Sequence, residues 1–501
     1  MKRFLILILC LPLTLLGQVQ IGNDINGAVG ELSGFAVSTS ANGNFVAVGA
    51  LGVLNDSGVE TGAVRVYENI ANVWTQVGQN ITGDQQLENA GTDVAISANG
   101  NIVVVASPDY DIDSASDSTE GRVRVFENIS GTWVQVGGDI LGSTPNESFG
   151  NHVDISSDGS IISVGALFNS DAGTNAGQVR VFENLSGSWI QIGQSINGLA
   201  ENDRTSNHAI TPDGTRLAVT SFGNDGDSKG RLRVFDYDFF ADSWEQVGQD
   251  VLGMESQEQL GSGGFSISDD GTVIGIGIPL APVVNALGRA RFYGFDNTTN
   301  QWIQIGNDIN GDIELGQLGN GSGLDLSPDG NFAVIGIPNG FIDSNGLETG
   351  NLARVYKNQS GNWVQVGSDI EGDVLGDNFG FSVSLSNNGI VAIGGFTNES
   401  AGSIAGHVEI YDINNTLLST EEFAISSEIS LYPNPTSNAF YIKIKDGVIL
   451  ENVTVYNSLG QKIKSSLGQQ NKVDLSEVNT DVYFVEITTN KGNTSKRIVV
   501  Q

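Results

Sequence analysis

Five residues recur along this chain as Trp-x-Gln-[Val/Ile]-Gly. The copies begin at Trp74, Trp133, Trp189, Trp244, Trp302 and Trp363, and they account for all 6 tryptophans. A copy without Trp is Gln20-Ile21-Gly22. The closing glycines are Gly22, Gly78, Gly137, Gly193, Gly248, Gly306 and Gly367, spaced by about 55–61 residues, a period that points to propeller blades or solenoid units.

The pattern inside one unit decides between them. Asp93–Ser97 alternates, with Val94 and Ile96 on one face, as a half-buried strand does. Asn99-Gly100 follows, a dipeptide suited to a type I′ hairpin because both central residues need positive φ. Ile102–Ala106 is a continuous apolar run, Arg122–Phe126 alternates again, and Trp133–Gly137 supplies a fourth strand. The same hairpin recurs as Asn42-Gly43, Asp158-Gly159, Asp213-Gly214, Asp270-Gly271, Asp329-Gly330 and Asn388-Gly389. A four-stranded sheet with two apolar faces needs a neighbour on each side, and radial stacking supplies both. The expected fold is therefore all-β: a seven-bladed β-propeller of four-stranded antiparallel blades over residues 18–413. The last unit lacks a Trp motif after Tyr411, so the strand at Gln18–Gly22 is expected to complete its sheet and close the ring.

The ends of the chain have a different character. Met1–Gly17 reads as a secretory signal peptide: Lys2-Arg3, an apolar core over Phe4–Leu16, and Gly17 for cleavage. It is too short for a stable bilayer span, and no other stretch reads as a transmembrane segment. The one cysteine, Cys10, lies inside it after Leu9, not the small residue a lipoprotein site requires. Residues 414–428 are a polar linker, and 429–501 form a Lys-richer segment of short strands, expected to be a small β-sandwich of Ig-like type. The net charge of −35 belongs to the repeat region, which makes nucleic acid and anionic membranes poor partners.

Two resemblances follow from these residues. Gly34-Phe35-Ala36-Val37, Val48-Gly49-Ala50 and Gly62-Ala63-Val64-Arg65-Val66 resemble the FG-GAP repeats of integrin-α-like propellers. That family's calcium-binding members carry Asp-x-Asp-x-Asp-Gly in the first hairpin. Here the turn is only Ser157-Asp158-Gly159-Ser160, too short to wrap an ion. The tail resembles the type A C-terminal sorting domain of type IX secretion, through Tyr432-Pro433-Asn434-Pro435, Val455–Gln461, Val482-Tyr483-Phe484-Val485 and Lys496-Arg497. The resemblance implies handling by the type IX machinery of a Gram-negative bacterium, removal of the tail, and a destination outside the outer membrane.

Candidate chemistry is sparse. Asp109, Asp111, Asp113, Asp117 and Glu120 fall at loop positions one, three, five, nine and twelve, the ligand spacing of an EF-hand-type calcium loop. Ser114 replaces the glycine such a loop wants at position six, and a solvated acidic loop is the alternative. His152 and His208 fall in first strands one residue out of register with each other. Asp93, Asp154 and Asp325 occupy polar places in the same strands, and His407 sits in a third strand and is read as structural. No nucleophile elbow, HExxH, P-loop or CxxC pair is present. Two functions are consistent with this chain. One is a secreted or surface propeller that binds an extracellular protein or glycan, without catalytic residues. The other is a polysaccharide-active enzyme on the same scaffold, with dispersed carboxylates as its acid and base.

Overall fold

The computed structural model describes residues 18–500 apart from 113–118, 224–226, 283–284, 340, 343–347, 375, 415–428 and short turns of the tail (433–435, 437, 445–448, 458–461, 468–471, 477 and 490–491). Two compact units are separated after Ile413. No helix among the described residues is long and apolar enough to cross a membrane.

The unit Gln18–Ile413 holds antiparallel sheets spanning 33–82, 94–141, 149–197, 205–252, 265–310, 324–371 and 382–412, called sheets one to seven here. Each is a meander whose second strand is almost wholly buried, as in Phe45–Ala50 and Ile161–Ala166. Apolar clusters join neighbouring sheets face to face. Val64, Val66 and Ile81 of sheet one pack with Val94, Val103 and Trp133 of sheet two. Val37, Val46 and Val48 of sheet one pack with Ile390, Val408 and Ile410 of sheet seven. This is a β-propeller, with the first and last sheets in contact.

The expected N-terminal strand is in place. Val19 and Gln20 pair with Asp412 and Tyr411, and Ile25 and Asn26 pair with Val408 and His407. A second seal lies at the hairpin turns. Ala41 N–H donates to the Ala98 carbonyl, Ala98 to Ser157 and Ser157 to Pro212; Asp269 donates to Pro328, and Asn387 donates back to Ala41, at 2.7–3.0 Å.

The recurrent motif now has a physical account. Trp133 Nε1 donates to the Val77 carbonyl of the preceding sheet at 2.9 Å. Trp189, Trp244 and Trp302 repeat this with Val136, Ile192 and Val247, and Trp74 does so with Ile21. Trp363 instead stacks on Phe292 with ring centroids 3.8 Å apart. The motif glycine adopts positive φ (+77° at Gly137), which L side chains resist, and the outer strand kinks there. In sheets two to five the kink splits that strand in two, as Thr132–Gln135 and Ile140–Leu141, a break the sequence reading did not anticipate. The motif Gln spans it: Gln135 Nε2 donates to Asp139 Oδ1 at 2.8 Å.

The tail forms two antiparallel sheets, one of Ile429–Tyr432, Ala439–Ile444 and Lys472–Asp474, the other of Leu450–Tyr456, Lys462–Leu467, Asp481–Thr489 and Gly492–Val500. Phe440, Ile442, Val453, Val455, Val473, Val485 and Ile498 form their shared core.

Candidate functional site

The first strands of all seven sheets surround a central channel of about 460 Å³. The turn hydrogen bonds, interrupted at Pro212 and Pro328, which have no N–H, rim one end. The other end is the mouth, where Phe35, Thr92, Asn151, Asn207, Ser262 and Phe381 stand near the starts of the first strands. Phe35, Phe381 and Phe396 form an aromatic cluster there, with centroids 4.8–5.3 Å apart. Asp93 and His152 line other sheets of the same channel.

The inner edge of each first strand presents backbone N–H groups that no fifth strand can pair, and a buried donor without a partner is costly. Three carboxylates meet this need across sheet boundaries. Asp93 accepts from Val94 of its own strand at 3.0 Å and from Val153 of sheet three at 2.8 Å. Asp154 accepts from Ile155 and from Ile210 of sheet four, both at 2.8 Å. Asp325 accepts from Leu326 at 2.8 Å and Leu385 of sheet seven at 2.7 Å. Hydroxyls do the same elsewhere: Ser38 accepts from Ile96, and Ser384 from Thr39.

Burial opposes the charge on these groups and outweighs the amide donors, pushing Asp93 and Asp154 up to about 7 and Asp325 to about 6. His152 and His208 are driven down by burial, to about 4 and about 3. The two imidazoles meet edge to face at 4.8 Å, although their positions are out of register in the sequence. His152 lies inside the register shift between Phe149 and Val153, whereas His208 pairs in regular register with Val219. His152 Nδ1 lies 3.7 Å from Asp93 Oδ2, too far for a hydrogen bond, and His208 Nδ1 bonds to the Ser206 carbonyl at 2.7 Å.

The linkage has a definite sign. The folded chain keeps protons on these aspartates that an unfolded chain releases near pH 4, so stability falls as pH rises toward 7. The histidines act oppositely, adding stability as pH rises, an effect that fades above about 6.5 as the unfolded imidazole also becomes neutral. Between pH 6.5 and 7.5 the aspartates outweigh the fading histidine effect, and roughly 1 kcal/mol of stability should be lost. Urea unfolding across this window should show the loss in the native chain, and a flatter profile in Asp154→Asn.

The other sequence candidates are placed as follows. Asp109, Asp111 and Glu120 lie in the loop between the second and third strands of sheet two, while Asp113 and Asp117 fall outside the described residues. Asp109 Oδ2 accepts from Asn89 at 2.7 Å, the Asp111 backbone exchanges two bonds with the Gln85 amide, and Glu120 accepts from Ile112 N–H at 3.1 Å. Asp158 of the short hairpin is occupied within its own turn, accepting from Ser156, Ser160 N–H and the Ser160 hydroxyl. Tyr432 is half exposed and stacks on Tyr441 at 5.6 Å; Pro433, Asn434 and Pro435 lie outside the described residues. The sequence reading missed the aromatic cluster at the mouth, since Phe35, Phe381 and Phe396 come from opposite ends of the chain. The Val-Arg-Val pattern of the third strands was visible, but not its consequence. Most arginines at this place on the third strand are held in ion pairs, as in Arg180 with Glu147 at 3.0 Å and Arg291 with Glu258 and Asp308 at 2.7 Å each.

Residues 430–501 match the secretion system C-terminal sorting domain. The tail is a type IX sorting domain. It marks the chain for export by that route, to the cell surface or the extracellular space. No curated protein sequence matches the chain. Among solved structures, the β-propeller domain of Cps50 (Swd1) from Myceliophteria thermophila is similar at TM-score 0.50 and 11% identity, covering 78% of this chain and 99% of that one. PorZ, a surface component of the type-IX secretion system of Porphyromonas gingivalis, aligns at TM-score 0.45 and 11% identity, over 96% of this chain and 60% of that one. A 6-phosphogluconolactonase-like protein from Bacteroides uniformis aligns at TM-score 0.47 and 16% identity, over 68% and 86%. At these identities the likeness to the Cps50 domain shows the propeller fold alone.

Proposed function

We propose that this chain is a secreted or cell-surface binding protein. In this reading a seven-bladed propeller with FG-GAP-type units is exported by an Ig-like sorting tail. It presents its channel mouth and loops to an extracellular protein or glycan. The observation that carries the reading is the use made of the channel carboxylates. Asp93, Asp154 and Asp325 each hold backbone N–H groups of two sheets, so the obvious acid and base candidates serve the scaffold. The mouth adds the half-buried aromatic faces of Phe35, Phe381 and Phe396, surfaces on which sugar rings or apolar side chains stack. On its sequence spacing alone, the loop Asp109, Asp111, Asp113, Asp117 and Glu120 is proposed to take calcium.

The rival reading is a polysaccharide-active enzyme, and one experiment separates them. The chain is run through gels cast with soluble polysaccharides, with and without calcium, and reducing ends are assayed in parallel. Binding predicts retarded migration without new reducing ends, and weaker retardation in Phe35→Ala. Reducing ends released by the native chain and lost in Asp154→Asn would establish the enzyme instead. A calcium effect that survives in Asp111→Ala/Asp113→Ala would remove the loop as its site.

A further inference from the structure

One sheet breaks the charge pattern of the other six. On the third strand, the residue opposite the fourth position of the second strand is arginine in sheets one to six. Arg65 lies opposite Val48, Arg124 opposite Val105, Arg180 opposite Val164, Arg233 opposite Val219, Arg291 opposite Ile276, and Arg354 opposite Ile335. Five of these guanidiniums meet an acid on the connection that enters the sheet, Arg291 and Arg354 also meet one beside or on the sheet's own outer strand, and Arg233 donates to the Asn197 carbonyl at 2.6 Å. Arg65 holds Glu31 at 2.7 Å, and Arg354 holds Asp312 at 2.7 Å and Asp369 at 3.0 Å.

In sheet seven the residue at this place, opposite Ile393, is Glu409. The acids are still there: Asp373 and Asp377 on the incoming connection, and Asp24 between the two N-terminal strands. Two residues earlier on the third strand stands His407, opposite Gly395. The other sheets have Ala50, Ser107, Ala166, Ser221, Ile278 and Ile337 opposite this place. A Cβ on Gly395 would lie 2.7 Å from His407 Nε2, so the glycine makes room for the imidazole.

His407 is fully buried, and neither of its ring nitrogens has a hydrogen-bond partner. One Glu409 oxygen is likewise buried without one, while the other accepts from Tyr411. Asp377 and Glu409 stand 3.7 and 3.8 Å from His407 Nε2. A ring nitrogen of His407 and carboxylate oxygens of Asp24 and Asp373 all lie within 4.8 Å of one another. An acid cluster that has lost its arginine therefore faces an imidazole with no donor or acceptor to satisfy it.

We propose that sheet seven binds a divalent transition-metal cation through His407, Asp24 and Asp373, in place of the guanidinium used by the other sheets. The imidazole selects the class of ion. Calcium and magnesium prefer sets made only of oxygen, whereas zinc and manganese take nitrogen with carboxylate. Asp377 and Glu409 supply the surrounding negative charge that orients the ring. The site also has a structural consequence. Asp24 lies between the two N-terminal strands and His407 in the last sheet, so the ion ties together the two ends that close the propeller.

The test uses the full chain, stripped with EDTA and re-equilibrated with zinc. Elemental analysis should find one zinc per chain that His407→Asn and Asp373→Asn lose, with affinity at least tenfold weaker. Zinc at a hundredfold excess over its Kd should raise Tm by about 3 °C for a unit of this size. Glu409→Arg copies the arrangement of the other six sheets. It should fold, bind no zinc, and show a Tm indifferent to EDTA. No zinc uptake by the native chain, uptake unchanged in His407→Asn and Glu409→Arg, or calcium held at this site more tightly than zinc would overturn the proposal.

Discussion

Replacing Arg291 with methionine is expected to cost about 3 kcal/mol of stability, because removing one member of a buried ion-pair network leaves the other undercompensated. Arg291 and Glu258 are both fully buried and meet at 2.7 Å, and the guanidinium also holds Asp308 through two bonds of 2.7 Å. Methionine fills much of the volume, so the loss reflects the buried Glu258 carboxylate left with Arg289, at 3.2 Å, as its one remaining cation. The double variant Arg291→Met/Glu258→Gln should recover a large part of the loss, since no charge then remains buried. Arg354→Met should cost only about 1 kcal/mol, because its partners Asp312 and Asp369 reach solvent. Chemical denaturation of the three variants checks the order. Equal costs for Arg291→Met and Arg354→Met would show that burial does not decide these pairs.

Deleting residues 18–27 should be comparably damaging and should also change solubility. The deletion removes Ile25, which is buried in the cluster shared by sheets seven and one, at about 2–5 kcal/mol for the lost packing. It also removes the Ile21 N–H bond to the Ile410 carbonyl and the acceptor of the Trp74 indole. Gln18 stands where the motif would place Trp, and its amide bonds to the Ser368 carbonyl at 3.0 Å, fastening the strand to sheet six as well. Without the segment, the strand His407–Asp412 becomes an open edge, a template for pairing with other chains. Light scattering with thermal unfolding should show a lower Tm and concentration-dependent association. A monodisperse deletion chain with an unchanged Tm would remove the closure role.

The strands were legible because their determinants are local. The Asn-Gly and Asp-Gly turns set the hairpins, and alternation marked the faces. The role of Trp in the repeat was half legible: its place on the outer strand followed from order, but not its bond to the preceding sheet. Trp363 shows that the same residue in the same motif can stack on Phe292 instead. The site was less legible. His152 and His208 looked out of step, but His152 lies in an irregular stretch of its strand and the two rings meet. His407 read as a structural residue because its partners Asp24 and Asp373 lie far from it along the chain.

The sequence by itself determined the repeat, its strands and turns, the need for a strand from the N-terminus, and a tail with the residues of an export signal. Each rests on neighbours in the chain, or on a motif that repeats within it. Only the tertiary structure decided what the charged and aromatic residues do. It bound the channel aspartates to amides of the next sheet, gathered three phenylalanines at one mouth, and set Glu409 among acids where other sheets hold arginine. The physical reason is that a closed ring brings together residues that one repeat, or nearly the whole chain, separates. A burial cost or an unpaired charge exists only once those neighbours are in place.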